Sequence, residues 1–519
     1  MNTRNSQWLR ETARRSAAVT LGLFLMVQAT PLTALQDQSP NPVPEPNPSD
    51  LCLQSYGSSN QRNVLLIIMD DVGVDQIQRY VDYYSTETTS TTDDIDVTPP
   101  ETDTITSLAA AGVTFVNAWS SPACSMTRAG VYTGTYSFRN GVHEVGDDLD
   151  PATTTTIAEV IADAGYTSGL FGKWHLGEAD LPTDSGHGWN QFYGSVEGQV
   201  EDYYEWTKTE STMLSMGVPV TGETTATNYA TWENVDDAIA WINARSGPWM
   251  ATVAFNAAHW VEGRTFEGQV PPSGCGPQVL LRKLLNSDEW LKSNDKTVYE
   301  ATIGCLDDSL ADLLDSIDSS KLEDTTIILT GDNGTESSSS MDNTDFEPFE
   351  DRGKGTIYEG GVNVPFIIAD GYAYLHEGET GCGTGRVVDP GRYETALVQT
   401  LDIFATVADI ADADGSSGLD SVSLVPLLAA TSTSVRDAVF MQKSECGDRA
   451  VRGSNFKLLV KDDGTQELFN LQSDRWEENE LLVGGRSFTE KVTVSSLCSK
   501  MSTLTGGTYT CTSEPKTCP

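Results

Sequence analysis

The chain has 519 residues, more than one ordinary domain holds, so we expect a large domain and a smaller one. Its 75 acidic and 32 basic residues give a formal charge of −43, which argues against partners such as nucleic acids or anionic membranes. An apolar content of 38% is enough for a sizeable core.

Residues 1–35 have the pattern of a signal peptide. Four arginines precede the apolar run 17–29, and small residues near Thr33 and Ala34 form a possible cleavage site. The run is too short to favour a membrane span, although a retained anchor is the alternative. We therefore expect a secreted or periplasmic protein without membrane contact after cleavage. Residues 36–60, rich in Pro, Asn and Ser, predict a linker.

Nine cysteines fit an oxidising compartment. If Cys124 is set aside, eight remain, enough for up to four disulfides whose pairing the sequence leaves open. Cys498, Cys511 and Cys518 indicate a stapled C-terminal tail. A buried free thiol at Cys305 is the competing interpretation.

Strand-like and helical patterns alternate from residue 63 to about 369. The continuous apolar run 64–69 predicts a strand buried on both faces. The elements that follow are a helix ending at Gly112, a helix ending at Gly165, strands 166–171 and 250–255, a periodic helix over 303–317, and strand 325–330. Such alternation predicts an α/β fold with a largely parallel sheet and helices on both faces.

Polar residues follow four of these strands. They are Asp70-Asp71, Lys173-Trp174-His175, His259 and Asp332-Asn333. In open α/β sheets, ligands bind beyond the carboxyl ends of the strands. These four groups are therefore expected to converge on one site.

The aspartates of two of these groups, with Asn333, predict a cation site. Hard oxygen donors suit Ca²⁺ or Mg²⁺, and an all-protein cage favours Ca²⁺. Taken singly, either pair is better explained as a turn or a helix cap. Two pairs at strand ends favour the cation.

A second set of side chains supplies positive charge or hydrogen-bond donors, as a tetrahedral oxyanion such as sulfate requires. Its members are Arg128, Lys173, His175, His259 and Lys354. Either histidine alone is more simply an ordinary hydrogen-bonded one. The five histidines of the chain are too few for a site built on several histidine ligands.

Several motifs occur in the order found in formylglycine-dependent sulfatases. They are 63–71, 98–99 with 108–119, Cys124-Ser125-Met126-Thr127-Arg128 followed by Thr133-Gly134, 172–177, 187–194, 330–334, Lys354, 358–365 and 419–428. On these motifs the chain resembles that arylsulfatase-like family of the alkaline phosphatase superfamily. The resemblance covers residues 63 to 428.

The resemblance implies a large, mostly parallel sheet sandwiched by helices over residues 61–430, the catalytic domain. It also implies a smaller antiparallel α+β domain over 431–519. Within the latter, runs 456–460 and 467–471 predict a hairpin around Asp463-Gly464.

The resemblance also implies a modified nucleophile. A formylglycine-generating enzyme would oxidise Cys124 to an aldehyde, and the hydrate of that aldehyde would attack a sulfate ester. One divalent cation would be held by the predicted metal set, Asp70, Asp71, Cys124, Asp332 and Asn333. A helix beginning near Ser125 would add its positive N-terminal dipole to the anion site.

The remaining roles follow by the same resemblance. Arg128 would favour the ionised nucleophile, and Lys173, His259 and Lys354 would hold the sulfate. His259 or a lysine would assist departure of the alcohol, and His175 would handle the proton when sulfate leaves.

Met126 stands where the family pattern has proline. Three outcomes are open: the host modifies the variant site, a Cys124 thiolate acts instead, or the protein is an inactive sulfatase-like binding protein. We favour the first because the charged pocket is otherwise complete. A phosphatase or phosphodiesterase of the same superfamily is a further alternative, although it would normally use Ser or Thr as the nucleophile and bind two metal ions.

Two substrate classes are open: an aryl or other sulfated small molecule, and a sulfated polysaccharide. Loops 85–104, 200–225 and 338–350 are the expected pocket walls. Tyr203, Tyr204 and Trp206 could equally stack on a ring of the substrate or pack in the core.

Overall fold

The structure is a computed structural model of the chain. It describes residues 61–87, 99–177, 180–184, 186–214, 217–261, 269–272, 275, 295–336, 352–376, 378, 386–445 and 447–511. All of these belong to one compact unit, Cys52–Pro519. The predicted signal peptide, 1–35, and linker, 36–60, lie outside the described residues. The boundary near residue 430 stays a prediction.

The strands form a ten-stranded sheet, a two-stranded sheet and a four-stranded sheet within the described residues. In chain order they are β1 Asn63–Met69, β2 Gly112–Phe115, β3 Ala118–Trp119, β4 Thr167–Gly172, β5 Gln191–Gly194, β6 Trp206–Met213, β7 Pro219–Ala226, β8 Trp249–Ala254, β9 Thr325–Gly331, β10 Phe366–Asp370, β11 Arg392–Glu394, β12 Val398–Gln399, β13 Val439–Gln442, β14 Arg449–Arg452, β15 Phe456–Val460 and β16 Gln466–Asn470. The predicted strands therefore form, with bounds shifted by a residue or two.

The helices surround these sheets. In chain order they are α1 Gln78–Glu87, α2 Asp103–Ala110, α3 Cys124–Thr133, α4 Ser137–Asn140, α5 Ile157–Asp163, α6 Ala230–Asn243, α7 Asp295–Ser316, α8 Ser319–Leu322, α9 Glu359–Val362, α10 Gly371–Leu375, α11 Asp402–Ile410, α12 Val425–Leu428 and α13 Phe488–Leu504. None of the helices among the described residues combines the length and apolar character that crossing a membrane requires.

The large sheet has the order β11-β2-β10-β9-β1-β8-β4-β5-β6-β7. Its centre, from β9 to β5, is parallel, and antiparallel pairs lie on either side. Alternate residues of β1 enter two different cores: Leu65, Ile67 and Met69 one, Val64, Leu66 and Ile68 the other. The predicted α/β fold, with a central strand buried on both faces, is confirmed.

The register of the central strands sets the level of the site. Met69 pairs with Gly331, Ile68 with Ala254, and Ala254 with Gly172. The carboxyl ends of β1, β4, β8 and β9 therefore lie at one edge of the sheet, as predicted.

The C-terminal part carries the smaller antiparallel sheet, β13-β14-β15-β16, with α13 packed against it. The predicted hairpin joins β15 to β16, and Phe456 pairs with Asn470. Helix α13 begins with a capping box, in which Ser487 and Glu490 exchange hydrogen bonds with each other's backbone N–H groups.

Two disulfides join described cysteines, Cys275 to Cys305 and Cys498 to Cys511. The alternative of a free thiol at Cys305 is therefore wrong, because Cys305, in helix α7, forms a disulfide with Cys275. The stapled C-terminal tail is confirmed for Cys498 and Cys511, and Cys518 lies outside the described residues. Cys124 is free and buried.

Candidate active site

The residues after the four strand ends interlock through their backbones. The N–H of Asp70 donates to Ala257 O and that of Asp332 to Met69 O, each at 3.0 Å. The N–H of Lys173 donates to Ala254 O at 2.7 Å. These bonds extend the parallel ladder by one residue, so the side chains start from a rigid edge.

Cys124 is the first residue of α3, as the expected helix start near Ser125 predicts. Its Sγ lies 3.2 Å from Nδ1 of His175, and the residue is 1% exposed. Burial raises the pKa of the Cys124 thiol, with Lys173 and Lys354 opposing the shift. A buried thiol of raised pKa is a poor thiolate nucleophile, which counts against the alternative in which the unmodified thiolate acts.

Met126 lies in the first turn of the same helix and is 3% exposed. Its side chain belongs to the core cluster that also contains Ala129 and Leu170. The N–H groups of a first helical turn have no intrahelical acceptor, so proline is compatible with this position. Backbone hydrogen bonding in this turn is therefore compatible with either residue at position 126.

Three carboxylates and three cations meet under Cys124. Lys173 Nζ donates to Asp70 Oδ2 at 2.5 Å, and Lys354 Nζ lies 2.7 Å from Asp71 Oδ1. The carboxylate of Asp332 accepts from Nη2 of Arg128 at 2.8 Å. We call these six residues the active-site cluster.

The charges of this cluster shift one another. Burial would raise the pKa of Asp71, but Lys354 and His259 hold it below its ordinary value. Burial, joined by the charge of Asp70, raises the pKa of Asp332. Burial and then Lys354 lower the pKa of His259 to about 3, so its imidazole is neutral.

The residues of the predicted metal set suit a cation. Among the described residues, neither Asp70 Oδ1 nor Asn333 Oδ1 has a hydrogen-bond partner, although both atoms are buried. Ligand atoms of Asp70, Asp71 and His259 lie within 4.8 Å of one another. Buried oxygens without donors carry a large desolvation cost, which a cation would offset.

The other members of the metal set have protein partners. Asp332 Oδ1 accepts from the Asp71 N–H at 3.2 Å, and Asn333 Nδ2 donates to Asp71 Oδ1 at 2.7 Å. Cys124 Sγ meets His175 rather than a carboxylate. Their part in metal binding stays a prediction, and His259 joins the group of possible ligands.

The two histidines are held by different means. His259 Nδ1 lies 2.7 Å from Trp260 O, so Nδ1 carries the proton and Nε2 is left towards Asp71 at 3.9 Å. His175 has a positive φ of 58°. A Cβ on Gly198 would come within 2.5 Å of the His175 ring, so only glycine fits there.

A cavity of about 590 Å³ opens onto Cys124. His175, His259 and Lys354 line it with Cys124, whereas Arg128 and Lys173 lie fully buried beneath. The structure therefore brings all six predicted catalytic residues together in two layers. Their roles are not tested by this placement.

Several lining residues were missed by the sequence analysis. They are Val145, Gly146, Asp148, Val196, Glu197, Gly198 and Gln199. Glu197 follows β5, a fifth strand of the parallel block, so the strand-end rule applied once more would have found it.

The three loops predicted to line the pocket do not contribute to the cavity at Cys124 in their described parts. Loop 338–350 lies outside the described residues, and the described part of 85–104 lines no part of this cavity. Tyr203, Tyr204 and Trp206 pack in the core rather than line the cavity. The segment 200–225 contributes to a neighbouring cavity instead.

The ten-stranded sheet, the separate antiparallel sheet and the site at the strand ends define an alkaline phosphatase-like α/β protein. A family model described as Sulfatase matches residues 62–413. N-acetylgalactosamine-6-sulfatase of Rattus norvegicus is 24% identical over 368 residues, which cover 66% of this chain and 63% of that protein. Arylsulfatase A of Bos taurus is 26% identical over 431 residues, covering 76% of this chain and 74% of that protein.

A solved structure shares the fold. BT4656 in complex with its substrate D-glucosamine-2-N,6-O-disulfate superimposes with a TM-score of 0.64 at 17% identity, over 88% of this chain and 100% of that one. The chain spans a little under two thirds of the rat protein's length, 63%. It belongs to the sulfatase family of enzymes, which confirms the resemblance found in the motifs.

Proposed function

We propose that this protein hydrolyses sulfate esters of carbohydrates through a formylglycine at position 124 and one divalent cation, with Ca²⁺ favoured. One observation carries the proposal: Cys124 and Lys354 line the same cavity, and Lys354 belongs to a buried cluster in which Asp70 Oδ1 has no hydrogen-bond partner among the described residues. Export to the periplasm or the medium, by way of the predicted signal peptide, belongs to the same proposal.

The two groups that the family implies would supply the chemistry that this chain lacks. A formylglycine made from Cys124 would supply a hydrated aldehyde as nucleophile. A divalent cation on the aspartates would supply Lewis acidity towards the sulfate oxygens.

The chain's own residues bind and orient the substrate. Lys354 lines the cavity and offers N–H donors to sulfate oxygens, while Asp71 fixes its position. Arg128 and Lys173 act from beneath: the Arg128 fork holds Asp332, and Lys173 holds Asp70. Their positive charge also favours anions in the cavity above.

Two histidines handle protons. His175 Nδ1 faces position 124, so it is placed to take a proton from that residue. His259 lines the cavity with its Nε2 3.9 Å from Asp71 Oδ2, and this nitrogen would serve the departing alcohol oxygen after taking up a proton.

Charge counting supports an anionic substrate. Asp70, Asp71 and Asp332 balance Lys173, Arg128 and Lys354 as the cluster stands. A divalent cation added to this balanced set leaves an excess of positive charge. The single negative charge of a sulfate ester in the cavity would compensate half of that excess.

The carbohydrate part of the proposal is supported by proteins of similar fold or sequence. BT4656, with the same fold, takes a sulfated glucosamine as substrate. The rat relative is named for a sulfated amino sugar and the bovine one for aryl sulfates. An acidic exported enzyme is compatible with sulfated polysaccharides.

The mass of the tryptic peptide ending at Arg128, from protein purified from its natural host, tests the modification. We expect the aldehyde form despite Met126, together with hydrolysis of an aryl sulfate that the Cys124→Ala variant lacks. An intact cysteine with no hydrolysis would instead support an inactive binding protein. Faster hydrolysis of an aryl phosphate than of the sulfate would support a phosphatase.

A further inference from the structure

A second cavity, of about 510 Å³, adjoins the one that contains Cys124. Val196, Glu197 and Gln199 line both cavities, which therefore adjoin along these residues; we call the pair the cleft. Each volume is within the range of roughly 300–1,000 Å³ that small ligands occupy in proteins. We call the second one the side cavity.

The walls of the side cavity are rich in hydroxyl and carboxylate groups. Strands β6 and β7 turn Thr207, Thr209, Thr221 and Glu223 towards it, and Thr209 pairs with Glu223 across the two strands. Glu201 accepts hydrogen bonds from the N–H and the hydroxyl of Thr207. These groups suit the hydroxyls of a sugar, which both donate and accept hydrogen bonds.

The charge of the side cavity is opposite to that of the cavity floor at Cys124. Asp184, Glu197, Glu201 and Glu223 line it, and no Lys or Arg is among its described lining residues. Lys208 lies between Thr207 and Thr209 in sequence but faces away, paired with Glu233 at 2.7 Å and Asp237 at 2.6 Å. The alternation of a strand thus keeps the nearest cation out of the cavity.

A second sulfate on a neighbouring sugar would therefore meet carboxylates and no cation in the described walls. Juxtaposed like charges disfavour a partner and are a common basis of specificity. An uncharged sugar meets hydroxyl and carboxylate partners without that repulsion. The cleft as a whole has one end suited to a sulfate and one end suited to neutral hydroxyls.

We propose that the side cavity selects saccharides with an isolated sulfate, whose adjoining sugar carries hydroxyls and no charge, over saccharides sulfated on adjoining units. Glu201 and Glu223 are the specificity-determining residues. This inference rests on the proposed sulfatase function and adds the substrate class to it.

The test compares two oligosaccharides of one backbone, the first with a single sulfate and the second with a further sulfate on the adjoining unit. For the unaltered protein we expect kcat/KM to favour the first by roughly tenfold or more, mainly through KM. Glu223→Lys should reduce that preference severalfold. Glu205→Lys is the matched control, because Glu205 is exposed just before β6 and lines neither cavity.

Turnover of a small aryl sulfate separates this inference from the proposed function. If the aryl sulfate is hydrolysed but Glu223→Lys changes the preference no more than Glu205→Lys does, the inference is wrong and the sulfatase function stands. If no sulfate ester is hydrolysed, the proposed function fails, and calorimetric binding of the same two oligosaccharides decides the inference. Equal binding, or no binding, would then overturn it, and a preference lost in Glu223→Lys would support it.

Discussion

Two groups of buried charge in this molecule differ in whether protein alone completes them. The first is the active-site cluster. The second, which we call the interface cluster, joins the C-terminal sheet to the segment after Lys354 and consists of Glu359, Glu477, Arg452 and Lys457. Both bury carboxylates against cations, yet only the first opens onto a cavity that also contains Cys124.

In the interface cluster, a protein nitrogen lies close to every carboxylate oxygen, although Glu477 Oε1 meets Lys457 as an ion pair without hydrogen-bond geometry. Glu359 Oε1 accepts from Trp119 Nε1 at 3.0 Å, and its Oε2 lies 3.1 Å from Arg452. Glu477 Oε1 lies 2.9 Å from Lys457, and its Oε2 accepts from the Glu359 N–H at 2.5 Å. Paired in this way, the buried charge fixes the position of α9.

The active-site cluster differs because Asp70 Oδ1 lacks a hydrogen-bond partner among the described residues and belongs to a residue grouped with Asp71 and His259, whose possible ligand atoms lie within 4.8 Å of one another. The difference teaches that burial and charge alone do not indicate a binding site. A buried polar atom that lacks a partner beside a cavity does. A closed cluster should respond to mutation through stability, and an open one through ligand binding and activity.

The largest effect is expected for Asp70→Asn. It removes one negative charge from the proposed cation site, so sulfate ester hydrolysis should fall by more than about 100-fold. In the unaltered protein, Ca²⁺ at 100 times its Kd should stabilise the fold by about 2.7 kcal/mol, and the variant should lose this shift in thermal unfolding. Glu477→Gln is the control and should keep the Ca²⁺ shift. Full activity of Asp70→Asn would remove the cation from the proposal.

The next effect is on stability. Lys457→Met leaves two buried carboxylates with one cation fewer, which should cost about 3–5 kcal/mol in denaturant unfolding. Lys461→Met is the matched control, because Lys461 is partly exposed and lies 3.6 Å from Asp448; it should cost about 1 kcal/mol or less. Equal losses in the two variants would show that the interface cluster is not a closed unit.

Glu477 should make stability depend on pH. Burial, with Glu359 adding and Lys457 opposing, raises the pKa of Glu477 from 4.5 to about 7. A raised folded-state pKa favours folding fully below pH 4.5, and this contribution is lost as the pH rises through about 7. Glu477→Gln should flatten that decline, by on the order of 1–3 kcal/mol. The exposed Glu445→Gln should leave the slope as it is, and a slope unchanged in both variants would contradict the shift.

The fold and much of the active-site cluster were predictable from the sequence, whereas the interface cluster and the side cavity were not. The α/β fold, the central strands and the meeting of Asp70, Lys173, His259 and Asp332 follow from apolar runs with polar residues at their ends. Such patterns report local structure and a shared sheet edge, which the parallel register then brings together.

The interface cluster and the side cavity are the parts that sequence did not predict. Glu359 and Glu477 are 118 residues apart, and nothing in either local pattern shows that they meet. Glu223 reaches the side cavity only because β6 and β7 are an antiparallel pair in a particular register. Long-range pairing of this kind is set by packing, which periodicity does not record.

The smallest effect compares two buried tyrosines, one beside each cluster. Tyr203 OH donates to the carbonyls of Asn256 at 2.7 Å and His259 at 2.9 Å, and so holds the backbone of the proposed proton-transfer residue. Tyr84 OH donates to Val116 O at 2.9 Å and accepts from Arg475 beside the interface cluster. Each Tyr→Phe change removes a hydroxyl and keeps the ring, so each should cost about 1 kcal/mol of stability.

Activity should separate the two variants. Without the Tyr203 hydroxyl, His259 O keeps the longer bond from Gln269 at 3.4 Å, while the His259 N–H still donates to Asn256 O at 2.9 Å. We therefore expect Tyr203→Phe to lower kcat by roughly 2- to 10-fold with little change in KM, because the sulfate donors stay in place. Tyr84→Phe should leave kcat unchanged. Equal kcat losses in the two variants would mean that the hydroxyls act only through stability, and that His259 needs no positioning by Tyr203.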